Sequence, residues 1–294
     1  FRDLVDGGLK GSGNYGIFGI GVYNGQGGSQ FETNRNLHAV ARFTYPHRFE
    51  SGQVVEAFEA VVKVASEFGV HQLRSVATSA FREAANSDVL VERLRTKLGV
   101  DLEVIDSAEE SRLYVEALRP LLKRTKTTLD GTVAMIDVGG GSTSLSLMQG
   151  GDLLHSVDEH FGTLRLHGLF KDLSDTTDYG VTVGRYSLGA AKMMLSRLPE
   201  ARPDHLVITG SEVRRLLALL CPGAEGEIEP LKAADVDAWL RRVQVLPPLA
   251  RAAACGCDEY TSSLMLPAAA LVHHLCVLTG RDTVLVPQLT LRDG

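Results

Sequence analysis

The sequence has few cysteines, no long apolar run and no excess of basic residues. Four cysteines in 294 residues are too few for a disulfide scaffold, so we expect reduced thiols and a cytoplasmic location. No apolar run approaches the roughly 20 residues of a membrane helix. No charged-then-apolar leader opens the chain, which starts at Phe1 rather than at an initiator methionine. A net charge of -6 argues against a nucleic-acid binder, because phosphate neutralisation needs clustered Lys and Arg.

Two closely spaced cysteines, Cys255 and Cys257, are weak candidates for a metal site. Only one residue separates them, whereas zinc-binding cysteine pairs usually enclose two to four. His273 and His274 follow in an apolar, helix-like stretch, which is more typical of packing than of metal binding. We therefore expect ordinary core or surface thiols here.

The first fifty residues differ in composition from the rest of the chain. Ten of the first thirty are Gly, which disfavours a packed helix, and residues 17–23 and 37–45 have the pattern of short strands. From Gln53 onward, apolar stripes at helical spacing alternate with short apolar strands, which predicts an α/β fold. The polar stretch 123–130 marks a boundary. The sequence thus predicts an atypical Gly-rich β segment (1–50), a first α/β domain (51–125) and a second (126–294).

A glycine-rich turn follows the most apolar predicted strand, residues 133–136, which has the pattern of a buried central strand. The turn reads Asp-Val-Gly-Gly-Gly-Ser-Thr from position 137 to 143. Three consecutive glycines allow successive N–H groups to point at one anion, and an Asp at a strand end can hold hydrated Mg²⁺ beside it. A plain hairpin is the alternative. The candidates are Asp137 for the metal and Gly139, Gly140, Gly141, Ser142 and Thr143 for phosphate.

A second candidate phosphate contact lies at a predicted helix start. Thr78 and Ser79 follow a short strand and precede residues 80–86, which have a helical pattern. The N–H groups at a helix N-terminus attract anions, and Arg82, one turn later, can bind a phosphate through two hydrogen bonds. Taken alone, these residues are more typical of an ordinary N-cap followed by a surface Arg.

Glu110 has two interpretations. Ser107 and Glu110 have the spacing of a capping box, which is a purely structural start of a helix. Alternatively, the Glu110 carboxylate is a general base that takes a proton from an attacking water. The spacing alone favours the cap.

Taken together and in this order, three segments resemble one protein family. They are residues 77–86 (ATSAFREAAN), 104–114 (VIDSAEESRLY) and 135–143 (MIDVGGGST). They are similar to segments of the exopolyphosphatase / guanosine pentaphosphate phosphohydrolase (Ppx/GppA) family. Weaker similarity occurs at residues 161–166, 207–210 and 289–294. The resemblance covers about residues 52–294.

The resemblance implies a fold, a reaction and residue roles. The fold is an actin-like pair of α/β domains around a cleft, and the reaction is Mg²⁺-dependent release of the terminal phosphate from polyphosphate or pppGpp. By motif position, Glu110 corresponds to the catalytic Glu, Asp137 to an Asp that helps to hold Mg²⁺, and Arg82 to a phosphate contact. Residues 139–143 correspond to the phosphate loop. The expected partners are polyphosphate or guanosine penta- and tetraphosphates, without nucleic acid or membrane, and a homodimer is one possible assembly.

Two departures from the family qualify this expectation. The family's loop continues with a Glu, where this chain has Ser144, which removes a carboxylate near the metal. The family's N-terminal phosphate-binding turn has no counterpart before Thr78, so we expect a first domain that is atypical or incomplete. Residues 18–28 and 36–46 resemble instead strands of a phosphate-selective outer-membrane porin. The expected function is exopolyphosphatase-type hydrolysis, and the alternative is a catalytically impaired polyphosphate- or alarmone-binding protein of the same fold.

Overall fold

The computed structural model describes residues 17–24, 37–44, 51–67, 75–125, 127–199 and 202–288. Contacts divide the chain into two compact units, Phe1–Asp106 and Ser107–Gly294. The weak family similarity at residues 289–294 lies outside the described residues.

In the residues that the structure describes, the first unit contains two small sheets and three helices. Strands β1 and β2 form an antiparallel pair, and β3 and β4 form a parallel pair. Apolar side chains of α1, α3 and the second sheet form a buried core: Val55, Ala77, Leu90, Leu94, Val100 and Leu102. The elements are β1 (Ile17–Asn24), β2 (Leu37–Thr44), α1 (Ser51–Glu67), β3 (Ser75–Ala77), α2 (Ser79–Glu83), α3 (Ser87–Leu98) and β4 (Leu102–Val104).

The second unit is a six-stranded sheet with helices on both faces. The strand order is β7-β6-β5-β8-β10-β9, in which the β5–β8 and β8–β10 pairs are parallel and the other pairs antiparallel. The strands are β5 (Thr132–Val138), β6 (Thr143–Gln149), β7 (Asp152–Glu159), β8 (His205–Thr209), β9 (Ile228–Lys232) and β10 (Thr283–Pro287). The helices are α4 (Ser107–Thr125), α5 (Thr163–Leu169), α6 (Asp178–Ser196), α7 (Ser211–Leu220), α8 (Ala233–Val243), α9 (Pro248–Cys255) and α10 (Glu259–Thr279).

Strand β5 separates two buried layers because its side chains alternate between the faces of the sheet. Val133 and Met135 pack with Leu118 of α4. Ala134 and Ile136 belong to the opposite layer, which includes residues of α6, α7, α8 and α10. All four strand residues are at most 5% exposed, so the structure confirms the buried central strand that the apolar run predicts.

Helix α4 belongs to the second unit rather than to the first. Its apolar face, including Val115, Leu118 and Leu121, is buried against the second unit's sheet, because the apolar stripe of a helix needs a covering layer. The boundary predicted at residues 125–126 therefore falls between two elements of one unit, and the contacts place the division at residues 106–107.

Among the described residues, one helix, α10, is long and apolar enough to cross a membrane, with 21 residues and a mean hydropathy of 1.5. This corrects the expectation that no apolar stretch reaches such a length. In the structure 78% of its most apolar window is buried inside the protein, and α10 contacts α6, α7, α8 and α9. It is the central helix of the second unit.

Candidate active site

A row of polar residues crosses four neighbouring strands of the second unit. Thr209 of β8 lies in register with Asp137 of β5. Asp137 is in register with Ser144 of β6, which in turn is in register with Asp158 of β7. Register partners project to the same face of a sheet. Because Met135, two residues before Asp137, packs against α4, this polar row faces α4.

Asp137 stands where the buried strand β5 ends. Its side chain is half-buried, and Oδ1 accepts a hydrogen bond from the Thr209 hydroxyl at 2.5 Å. Thr209 is fully buried, so this bond fixes one carboxylate oxygen of Asp137. The sequence analysis identified Asp137 but missed Thr209, although Thr209 likewise ends a buried strand just before Gly210.

Glu110 lies in the part of α4 that is bonded to strand β7. The Ser107 hydroxyl donates to Asp158 Oδ2 at 3.0 Å, and the Ser111 and Ser156 hydroxyl oxygens are 2.9 Å apart. Glu110 lies between the two serines in sequence and is half-buried. The candidate general base is therefore on a helix that is fastened to the face carrying the polar row.

The Ser107 hydroxyl has a partner outside α4. It donates to the Asp158 carboxylate, which lies 51 residues further along the chain. A hydroxyl can donate and accept at the same time, so this bond is compatible with both interpretations of Glu110. It adds a tertiary contact near Glu110 that the local spacing does not reveal.

The glycine-rich loop between β5 and β6 is bonded to the start of α5 through its carbonyl groups. Gly139 O accepts from Thr163 N, and Gly140 O accepts from Leu164 N and Arg165 N, each at 3.0 Å. The Arg165 Nε donates to Gly141 O at 2.8 Å. Since the carbonyl oxygens are engaged by α5, the loop is held in one conformation.

Two groups of the loop serve its own structure rather than a ligand. The Thr143 hydroxyl donates to Phe161 O at 2.7 Å, and the Thr143 side chain is fully buried. The N–H of Gly139 donates to Ser142 O at 3.0 Å. The expectation that the Thr143 hydroxyl donates to phosphate is therefore replaced by a structural role.

Three further N–H groups of the loop are not used in its backbone hydrogen bonds. Within the described residues, the N–H groups of Gly140, Gly141 and Ser142 donate to no backbone carbonyl. Consecutive N–H groups attract anions when they converge on one point. Phosphate binding by these three residues stays a prediction.

The predicted contacts Thr78, Ser79 and Arg82 lie in the first unit. Thr78 precedes α2 and makes no side-chain cap, and α2 has only five residues. Arg82 Nη1 donates to Ile105 O at 2.9 Å, which ties α2 to the residue that follows β4. The contact with Ile105 gives Arg82 a structural role, while the phosphate roles of these three residues stay predictions.

The donors around Asp137 suit a hard cation better than a soft one. The polar row offers only carboxylate and hydroxyl oxygens, which Mg²⁺ prefers. Among the described residues, no group of three or more His, Cys, Asp or Glu side chains is arranged to hold a metal. At the weaker candidate, burial raises the pKa of Cys255 to about 12, which disfavours the thiolate that a metal requires.

The sequence comparisons match this chain to phosphatases. The sequence model of the Ppx/GppA phosphatase family matches residues 49–220. The chain is 38% identical over 94 residues to exopolyphosphatase 1 of Mycobacterium leprae, a match that covers 32% of this chain and 26% of that protein. It is 29% identical over 104 residues to the guanosine-5'-triphosphate,3'-diphosphate pyrophosphatase of Aliivibrio fischeri strain MJ11, covering 35% and 20%. The chain thus matches about a quarter or less of the length of these relatives.

Solved structures share the fold at low sequence identity. A Ppx/GppA family member from Aquifex aeolicus superposes with a TM-score of 0.69 at 19% identity, covering 87% of this chain and 86% of that one. An exopolyphosphatase from Cytophaga hutchinsonii gives 0.68 at 19%, covering 89% of both. An exopolyphosphatase-like protein gives 0.71 at 17%, covering 94% and 97%. These matches confirm the predicted two-domain, actin-like α/β fold class.

The porin resemblance of residues 1–50 is not borne out. A match covering 94% of 294 residues leaves about 18 residues (6%) outside it. Most of the first fifty residues therefore lie inside the match to an exopolyphosphatase-like fold. Of this segment, the structure describes β1 and β2, which pair with each other.

Proposed function

Because the chain belongs to the Ppx/GppA phosphatase family, we propose that it hydrolyses phosphoric anhydrides, releasing the terminal phosphate of inorganic polyphosphate, of pppGpp or of both. The names of its relatives, an exopolyphosphatase and a guanosine-5'-triphosphate,3'-diphosphate pyrophosphatase, support these two substrates. The observation that carries the proposal is that Glu110, Asp137 and the glycine loop belong to one unit, with the helix of Glu110 bonded to the sheet that carries Asp137.

Each group has a role that its chemistry supports. In this proposal the N–H groups of Gly140, Gly141 and Ser142 bind oxygens of the terminal phosphate, and the phosphate roles of Thr78, Ser79 and Arg82 stay predictions from the family resemblance. Glu110 takes a proton from the attacking water. Phosphoryl transfer needs mainly positioning and neutralisation of charge, so a rigid loop that is bonded to α5 is well suited to it.

The cation in this proposal is Mg²⁺, held by Asp137. Thr209 occupies Oδ1 of Asp137, which orients the carboxylate. Proteins usually hold Mg²⁺ through one or two carboxylates together with water and substrate phosphates, so the Asp137 carboxylate would fit this role. When bound, Mg²⁺ supplies positive charge beside the phosphate.

The test is phosphate release from polyphosphate and from pppGpp, in Mg²⁺ and in EDTA, with Glu110→Gln as the inactive reference. Release that requires Mg²⁺ and is lost in Glu110→Gln supports the proposal. The alternative of an impaired binding protein rests on Ser144 alone, which is in register with Asp137, and the names of the relatives do not favour it. Binding of polyphosphate in a direct assay without any release of phosphate would establish that alternative.

A further inference from the structure

We propose that Asp158 is a positioning residue, which holds the first turns of α4 and thereby sets the place of Glu110. The inference rests on the proposed function, since it assigns Glu110 a reaction in which its position matters. Asp158 belongs to none of the motifs that resemble the family. It was found only through the hydrogen bond from Ser107 and the register of β6 and β7.

The geometry of the two elements explains why this contact can fix α4. Ser107 and Ser111 are four residues apart on a helix, which is about 6 Å along its axis. Ser156 and Asp158 are two residues apart on a strand, which is about 6.6 Å. The two spacings nearly match, so both hydrogen bonds form together. Two bonds along one helix face restrict its rotation and its sliding, and Glu110 lies between them in the chain.

Of the two bonds, the one to Asp158 is expected to be the stronger. A hydroxyl that donates to a carboxylate forms a charge-assisted hydrogen bond, whereas Ser111 and Ser156 are both neutral. The Asp158 carboxylate also meets the first residue of α4, where the helix dipole attracts negative charge. Removing it therefore releases the helix end that carries Glu110.

The position of Asp158 in the polar row argues for an action through α4 rather than on the cation. Asp158 and Asp137 are register neighbours of Ser144 on opposite sides, so two strand spacings separate their backbones, about 9.5 Å. The bond to Ser107, in contrast, is direct at 3.0 Å. Asp158 is thus placed to orient Glu110 through α4, and not to bind the cation that Asp137 would hold.

The experiment compares Asp158→Ala with Asp158→Asn in the full chain, because an Asn side chain keeps an oxygen that accepts from Ser107. We expect Asp158→Ala to lower kcat for phosphate release at least about tenfold with KM within about twofold, as misplacement of a catalytic group does. We expect Asp158→Asn to keep kcat within about threefold of the wild type. Ser107→Ala should reproduce the loss. Arg112→Ala is the control, since it removes the exposed ion pairs of Arg112 with Glu109 and Glu116 on the same turns and leaves the tether intact.

Amide hydrogen exchange of residues 107–113 gives a readout independent of activity. Exchange should accelerate in Asp158→Ala and not in Asp158→Asn. The proposal is overturned if Asp158→Asn loses as much activity as Asp158→Ala while exchange stays unchanged, because the charge would then matter without any release of the helix, or if Asp158→Ala leaves both kcat and exchange unchanged. A wild-type protein that releases no phosphate contradicts the proposed function instead, and the exchange result then decides whether Asp158 fixes this turn.

Discussion

At the scale of single residues, two adjacent glutamates in α4 have different surroundings. Glu109 forms two hydrogen bonds with Arg112, from Nε and Nη2 at 2.7 Å each, on the exposed side of the helix. Both glutamates are half-buried, and both lie near the helix start that Ser107 ties to Asp158. The pair therefore provides a matched comparison between a carboxylate in an ion pair with Arg112 and the candidate base.

Glu110→Gln should abolish most of the activity and leave the fold intact. Gln preserves size and hydrogen bonding but cannot accept a proton, and a general base contributes about 10²- to 10⁴-fold to a rate. We expect a fall of that order in kcat with an unchanged melting temperature, measured by phosphate release and thermal unfolding. Glu109→Gln is the control and should retain wild-type kcat. Equal activity of the two variants would remove Glu110 from the mechanism.

Ser144 offers a test of the cation at the neighbouring position. It is only 8% exposed and has Asp137 and Asp158 as its register partners. Ser144→Glu would place three carboxylates side by side, and like charges in register are destabilising. We expect a lower melting temperature without divalent cations and a larger Mg²⁺-dependent rise than in the wild type.

The matched control for this variant is Ser144→Gln, which has the same size and no charge. Its melting temperature should respond to Mg²⁺ no more than that of the wild type. If Ser144→Glu and Ser144→Gln respond equally to Mg²⁺, the polar row does not bind the cation.

At the scale of elements, the glycine loop and α5 are built around a close approach of two backbones. A Cβ on Gly162 would lie 2.2 Å from Gly140 O and 2.4 Å from Gly141 C. Real Cβ atoms do not approach other atoms so closely, so only Gly allows the chain to pass the loop here. The contact positions the α5 N–H groups that hold the loop carbonyls.

Gly162→Ala should therefore displace the loop, destabilise the protein by about 1–3 kcal/mol as overpacking does, and reduce phosphate release. Gly168→Ala is the control on the same helix, because a Cβ there has no atom within 4 Å and Ala favours helix over Gly by up to about 1 kcal/mol. Urea unfolding and phosphate release measure both effects. A Gly162→Ala protein as stable and active as Gly168→Ala would show that the loop tolerates displacement.

The same elements show what the sequence could and could not predict. The continuous apolar run of β5 predicts a buried strand, and the apolar residues at helical spacing in α4 predict a helix. Helix α5 was missed because it is short and its first turn is fixed by bonds to the loop, not by a local pattern. Strand β9 was missed because Pro230 interrupts its apolar pattern. A proline is tolerated in this strand because β9 lies at the edge of the sheet.

Some residues of the candidate site could be predicted from the sequence and others could not. Asp137 and the glycines were predictable because a strand end followed by Gly is a local signal. Thr209, Ser144 and Asp158 come together only through the register of four strands. The partner of Ser107 depends on how α4 packs on that sheet. No local spacing in the sequence encodes either relation.

At the scale of the whole molecule, the two units have separate buried cores. Within the described residues, β1 pairs only with β2, and β3 only with β4. Two-stranded sheets are marginal on their own in water, whereas the six-stranded sheet of the second unit is covered on both faces. The second unit should therefore keep its fold when the first is disturbed.

A chain beginning at Ser51 tests this independence. The single tryptophan of the sequence, Trp239, is 2% exposed in the core of the second unit, so its fluorescence reports the unfolding of that unit alone. We expect the urea midpoint of Trp239 fluorescence to be the same with and without residues 1–50. The midpoint of far-ultraviolet circular dichroism, which follows both units, should fall on truncation, because the truncation removes the β1–β2 pair of the first unit. Such non-coincident transitions are the sign of units that unfold separately.

A shift of the Trp239 midpoint equal to that of the dichroism would mean that the two units form one cooperative structure.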